Sequence, residues 1–146
     1  MSDPLCPATG WGVLHLFCKP RPGADPEAVA AAVKAARTDD QQVIMFSVFG
    51  HKADLGVMVL GPDWVRLRAL QSALQAAGLE VVDSYVSLTE VSEYAQGVPE
   101  ELRQARLYPK LPPEGKRAFC FYPMSKRRGD VRNWFATPYE ERKELM

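Results

Sequence analysis

The residues best placed to do chemistry lie late in the chain. Arg117–Met124 (RAFCFYPM) reads as a strand, and if it continues to Lys126 then Tyr122, Met124 and Lys126 share one face by the period of two. That face brings together a phenol, a soft apolar side chain and a cation. A phenol can give up an electron and a proton, as a radical relay requires. An ammonium can offer a carboxylate a charge-assisted hydrogen bond, and a carboxylate buried without such a partner costs several kcal/mol. Cys120 falls on the same face and is assigned no role. Taken bare, Lys126-Arg127-Arg128 reads as a solvated loop, for which nucleic-acid contact would be the usual functional guess, and Trp134 reads as packing.

Little else looks reactive. Cys6, Cys18 and Cys120 lie far apart, with no CxxC pair to suggest zinc or a redox dithiol, and an odd count argues against a disulfide scaffold. His15 falls in an apolar strand and His51 at a turn; both read as structural. The first half has no glycine-rich phosphate loop, no Ser/His/Asp arrangement and no paired acids on one face. Lys+Arg and Asp+Glu both count 18, so no global field draws the chain to nucleic acid or an acidic membrane. The hydrophobic fraction of 47% and charged fraction of 25% are those of a soluble globular protein. The apolar run Val43–Phe49 is far short of the roughly 20 residues a membrane helix needs. The acidic start Met1-Ser2-Asp3-Pro4 lacks the regions of a signal peptide. The expectation is a cytoplasmic protein without membrane or nucleic-acid partners.

The elements that must position Tyr122 and Lys126 are legible upstream. Gly10–Lys19 (GWGVLHLFCK) is a predicted strand. Asp25-Pro26-Glu27 offers an N-cap acceptor and a proline at the first helical position, opening an alanine-rich helix to Arg37. Gln42–Phe49 and Asp54–Leu60 form a hairpin around Gly50-His51-Lys52. From Trp64 to Ala77 the apolar positions Trp64, Leu67, Leu70, Leu74 and Ala77 recur at helical spacing. Gly78 suits the C-cap, and Glu80–Val91 is a fourth strand. The order β-α-β-β-α-β is the ferredoxin-like split βαβ unit, an α+β fold with an antiparallel sheet and two helices on one face.

After Gly97 the pattern begins again. Pro99–Leu107 is a short charged helix and Tyr108–Gly115 a proline-rich connector, followed by the Arg117–Met124 strand and a basic loop at Lys126–Asp130. Thr137-Pro138-Tyr139-Glu140 then carries a full helix-start signature: Thr137 as N-cap, Pro138 at the first position, Glu140 as capping-box partner. A strand, a loop and a proline-started helix repeat the opening of the first half as pattern, with weak residue identity. The expected organisation is a complete unit over 1–96 and the start of a second over 97–146, with the last helix cut short.

Phe121–Met146 (FYPMSKRRGDVRNWFATPYEERKELM) resembles the core signature of coproheme decarboxylases in the chlorite dismutase-like superfamily. Tyr-Pro-Met-x-Lys is followed at fixed distance by Asn-Trp and then Pro-x-Glu-Glu-Arg. Gly50–Gly56 (GHKADLG) and Ser84–Tyr94 (SYVSLTEVSEY) are similar as well, so the resemblance runs from Trp11 onward.

The resemblance implies two ferredoxin-like halves, the first a scaffold and the second binding porphyrin, in a homo-oligomer that is commonly a ring of five. It implies hydrogen peroxide-dependent decarboxylation of two propionates of iron-coproporphyrin III (coproheme, both substrate and cofactor), leaving haem b. Tyr122 is then the radical residue. Pro123, Met124, Ser125 and Lys126 line the substrate site with it, Trp134 stands beside the pocket, and Arg106 best matches an upstream arginine placed on a propionate. The family's iron-ligating histidine follows the last helix, and neither His15 nor His51 matches it, so no metal ligand is expected within the chain. The other readings are a chlorite dismutase or dye-type peroxidase of the same superfamily, and a haem-free ferredoxin-like assembly module.

Overall fold

A computed structural model describes residues 5–95 and 97–146; the acidic start over 1–4 and Gln96, the last residue of the expected first unit, lie outside the described residues. The chain runs β1 (Gly12–Pro20), α1 (Pro26–Ala36), β2 (Gln42–Ser47), β3 (Leu55–Gly61), α2 (Trp64–Ala76), β4 (Leu79–Leu88), α3 (Glu100–Leu107) and α4 (Tyr139–Glu144). The four strands form one antiparallel sheet in the order β2-β3-β1-β4. That is the ferredoxin-like topology expected from the sequence, with β3 slotted between β1 and β2. Boundaries move by a few residues: β2 stops at Ser47 rather than Phe49, and β4 at Leu88 rather than Val91.

Local chemistry explains why the helices start and stop where they do. The Asp25 carboxylate accepts the amides of Glu27 and Ala28 at 2.9 and 3.1 Å, and Asp63 accepts that of Val65 at 2.9 Å. Gly78 ends α2 with φ of 95°, a left-handed conformation that a side chain resists. Each helix then turns its apolar stripe to the same side of the sheet. Val29 and Val33 of α1 and Leu67, Leu70 and Leu74 of α2 pack on Leu14, Leu16, Cys18, Val43, Val57 and Val59, all buried. Losing any one of these leucines to alanine typically costs about 2–5 kcal/mol.

Among the described residues, the opposite face of the sheet carries no helix. It is aromatic, and it is organised around a glycine. Gly56 stands in register between Phe46 on β2 and Phe17 on β1. A Cβ at Gly56 would collide with the Phe46 ring, so the glycine is what lets that ring lie across the strand. Phe46 and Phe17 meet edge to face at 6.3 Å, and Phe17 meets Tyr85 of β4 at 6.4 Å.

The Arg117–Met124 segment lies on this face, and here the sequence expectation needs correcting. Among the described residues it pairs with no strand, so it is a strap and not a β-strand. Its apolar character comes from packing instead of ladder hydrogen bonds, which is much of what strand propensity measures. Phe119 stacks on Phe46 at 3.9 Å with planes 13° apart, and Phe121 sits 5.2 Å from Phe17 and 5.0 Å from Tyr85. The period-two alternation survives there without the ladder: Phe119 and Phe121 are half-buried, while Cys120 and Tyr122 face outward and are exposed.

His15 is caught beneath the strap. It is buried, 4.7 Å from the Phe121 ring, and its Nδ1 has no hydrogen-bond partner among the described residues. Burial lowers its pKa from the ordinary 6.5. A base whose folded pKa is depressed leaves the unfolded chain binding more protons, so stability rises with pH across the window below 6.5. The contribution is fully present above that value and is lost as pH falls toward the folded pKa. Urea unfolding followed from pH 7.5 to 5 should show the loss, and His15→Leu should flatten it. An unchanged slope in His15→Leu would assign the acid sensitivity to other groups.

Candidate functional site

The Tyr122–Lys126 segment leaves the strap and enters a small hairpin closed by backbone bonds. The Trp134 amide donates to the Arg127 carbonyl at 3.0 Å, the Gly129 amide donates to Arg132 at 3.1 Å, and Arg128 and Asn133 form an isolated β-bridge. The Asn133 side chain then accepts the Phe135 amide at 3.1 Å and starts a short 3-10 turn over Trp134–Ala136. This turn displaces the helix start expected at Thr137. The Thr137 hydroxyl donates back to the Asn133 carbonyl at 3.0 Å, so it makes no cap. Pro138 is extended, with ψ of 148°, and α4 begins at Tyr139.

The predicted site residues divide into two groups. Tyr122 is 70% exposed and Met124 85% exposed, and Pro123 and Ser125 beside them are also exposed. Tyr122 makes no protein hydrogen bond among the described residues, because Phe119 and Phe121 take the packing role on the strap. Lys126 places its ammonium 4.3 Å from the centre of the Trp134 ring and 3.6 Å from the Met146 sulfur, with no carboxylate partner among the described residues. A cation over an indole face is favourable by about 0.5–1 kcal/mol when exposed, and it stays available to an anion.

Arg106 stands apart. It lies in the last turn of α3, exposed, with no hydrogen bond or ion pair to the Tyr122–Lys126 segment among the described residues. Its helix docks on the first unit instead. The Leu107 carbonyl accepts from Thr89 at 2.7 Å, and Tyr108 meets Trp11 edge to face at 5.4 Å. Gln42 bonds both Pro109 and Leu111, at 2.7 and 2.8 Å.

A cluster not singled out from the sequence ties α4 to the exit of β4. The Arg142 guanidinium sits 2.9 Å from the Glu93 carboxylate, and the Tyr139 hydroxyl donates to the Glu93 carbonyl at 3.0 Å. Tyr94 and Tyr139 are stacked 5.4 Å apart, and Tyr94 also meets Trp134 at 6.4 Å. The chain is therefore continuous in space from Glu93 through Tyr94 and Trp134 to Lys126. The only sequence signal was the presence of both segments in the family resemblance, since pairs 49 residues apart leave no local pattern.

Among the described residues, no group of three or more His, Cys, Asp or Glu side chains could hold a metal ion. No helix there is long and apolar enough to cross a membrane. The thiols are free, and burial pushes that of Cys18 up to about 11.

Comparison with known proteins agrees with the fold and the motif. A family model described as "Chlorite dismutase" matches residues 25–146, which is most of the chain. The chain belongs to that family, and its four-stranded antiparallel sheet is consistent with the family's ferredoxin-like fold. A protein of Natronomonas pharaonis that carries the provisional name of a heme-binding protein is 40% identical over 119 residues, covering 70% of this chain and 19% of that protein. The chain thus spans about a fifth of the length of this relative.

The clamp gives a direct prediction about α4. A helix of six residues has too few internal bonds to persist alone. Arg142→Ala removes its ion pair and one flank of the tyrosine stack. Hydrogen exchange should then reach α4 and the turn over Trp134–Ala136 at rates near those of an unfolded chain, while β1 and β3 stay protected. Unaltered exchange in α4 would show that other contacts hold it.

Proposed function

We propose that the chain carries the scaffold unit and the start of the porphyrin-binding unit of a coproheme decarboxylase. Such an enzyme uses hydrogen peroxide to convert two propionates of iron-coproporphyrin III into vinyls, leaving haem b. The observation that carries this reading is the outward phenol of Tyr122, on the strap that leads to Lys126, whose ammonium has no carboxylate partner among the described residues. The family match and the heme-binding name of the Natronomonas pharaonis relative support a porphyrin ligand. Assembly into a homo-oligomer belongs to the same proposal.

The residues present fit the group. A propionate needs a cation that is not already paired, and Lys126 has no carboxylate partner among the described residues. When bound, the iron porphyrin supplies the oxidising power of peroxide. Each decarboxylation would consume one hydrogen peroxide and one proton from solvent: the propionate gives up a hydrogen atom and an electron, its carbon–carbon bond to the carboxyl breaks as the vinyl double bond forms, and one carbon dioxide and two waters leave. Tyr122 passes on the hydrogen atom as a phenol that can become a neutral radical and be restored. Lys126 orients the carboxylate by a charge-assisted hydrogen bond. Trp134 fixes the ammonium laterally. Met124, Pro123 and Ser125 shape the contact surface, and Arg106 reaches a propionate only if α3 and the porphyrin come together.

Two variants test the reading, made in a chain extended to the family's full length. Tyr122→Phe keeps the ring and loses the hydroxyl, so coproheme should still bind while peroxide-driven carbon dioxide release nearly vanishes. Haem b formation at close to the parent rate would remove Tyr122 from the relay. Turnover of chlorite with both propionates intact would favour the dismutase activity instead. Lys126→Ala should weaken coproheme binding by about ten- to a hundredfold, the worth of one charged hydrogen bond. Arg21→Ala, on the first unit, should leave binding unchanged.

A further inference from the structure

The two ends of the sheet carry opposite features. At one end, the turn between β2 and β3 presents Phe49 with 99% of its surface exposed, a large apolar area for one residue to leave in water. The turn is held in place. The Lys19 ammonium donates to the His51 carbonyl at 2.7 Å, and the Val48 amide donates to the Asp54 carbonyl at 3.0 Å. Lys52 in the same turn is exposed and forms no ion pair among the described residues, although Asp83 shares with it the cleft below Phe49.

At the other end, a pocket of about 560 Å³ opens between Pro7, Trp64, Val86, Leu88 and Glu90. β4 is an edge strand, and its Val86 and Leu88 stand opposite Leu14 and Gly12 of β1, so both point to the helix side of the sheet. Leu14 is buried in the core there, yet Val86 and Leu88 stay exposed. Trp64 opens α2, and its amide donates to the Leu5 carbonyl at 3.1 Å, which ties the segment bearing Pro7 to the pocket. Glu90 is the charged residue of this lining, exposed and without an ion pair among the described residues.

One chain cannot fill its own pocket with its own ring. Cys18 of β1 pairs with Leu55 beside the turn, whereas Gly12 pairs with Leu88 beside the pocket. The strand between them separates the two ends by about 20 Å. A second copy removes that constraint. An apolar knob with a cation beside it matches an apolar hole with an anion in its wall, in shape and in charge.

We propose that Phe49 of one chain seats in the pocket formed by Pro7, Trp64, Val86 and Leu88 of a second copy, with Lys52 against Glu90. The contact joins two different surfaces, so it is head-to-tail and repeats from copy to copy. It deepens the assembly part of the reading above and rests on that part alone, since it needs no porphyrin.

Sedimentation velocity of this chain over a range of concentrations tests the contact. The parent should associate as concentration rises. Phe49→Ser and Val86→Asp should each weaken association by about thirtyfold or more, as loss of an aromatic anchor or its seat does. Both positions are exposed, so the variants should fold, and far-ultraviolet dichroism checks this. Mixing them is the decisive arm, because Phe49→Ser keeps its pocket and Val86→Asp keeps its ring. Each alone should stay monomeric, and together they should form a one-to-one dimer and nothing larger. Lys52→Glu and Glu90→Lys should each weaken association, and a chain carrying both should recover most of it. A parent that is monomeric at every concentration, association that survives Phe49→Ser, or a mixture that stays monomeric overturns the contact. Coproheme turnover does not enter these measurements, so a failed contact and a failed decarboxylase reading appear in separate experiments.

Discussion

A four-stranded sheet has two faces, and α1 and α2 cover only one of them. Everything downstream depends on how the second face is closed. Here the cover is two phenylalanines, Phe119 and Phe121, laid on a platform that Phe17, Phe46 and Tyr85 build around the missing side chain of Gly56. Fully burying a phenylalanine ring is worth roughly 1.5–3 kcal/mol, and the two half-buried rings gain part of that, which helps hold a strap that has no ladder of its own among the described residues. Because alternate residues of the strap point down, those between must point up, and Tyr122 is one of them. The exposure of the phenol is therefore a by-product of the packing beneath it.

This arrangement also explains why the ordinary reading of a tyrosine in an apolar run does not apply. Such a residue usually closes a core with its ring. On this strap the core-closing positions are already taken by phenylalanine, which needs no hydrogen-bond partner, and the phenol falls on the side left to water or a ligand. The hairpin that follows repeats the logic in polar form. Main-chain bonds fix Arg127 and Arg132, and aromatic rings steady the charged ends of Lys126 and Arg128, while none of the four forms an ion pair among the described residues.

The first unit was almost wholly legible in the sequence, because its signals are local and agree with one another. Asp25 before Pro26, the leucine spacing of α2 and the glycine at position 78 each act within a few residues, and α1, α2 and the sheet follow. The second part was legible as motif and less so as structure. Arg117–Met124 has strand composition, but composition reports the surface a segment packs on and not whether a ladder partner exists. Thr137 has the right spacing for a capping box, yet Asn133 lies close enough to capture its hydroxyl first. The Glu93–Arg142 pair and the Tyr94–Tyr139 stack join residues far apart in the chain, and no pattern along the sequence marks such contacts.

The three thiols divide along the same line between covered and uncovered. Cys18 lies in the core under the helices, where burial holds its thiol at about 11, so at neutral pH it stays protonated and unreactive toward electrophiles. Cys120 and Cys6 are exposed. Cys120 occupies the upward side of the strap, one residue from Phe121 and two from Tyr122. With Cys6 changed to serine, a thiol-directed dye would attach at Cys120 alone. The molecule thus comes with a place for a reporter on the outward side of the strap, two residues from the phenol of Tyr122.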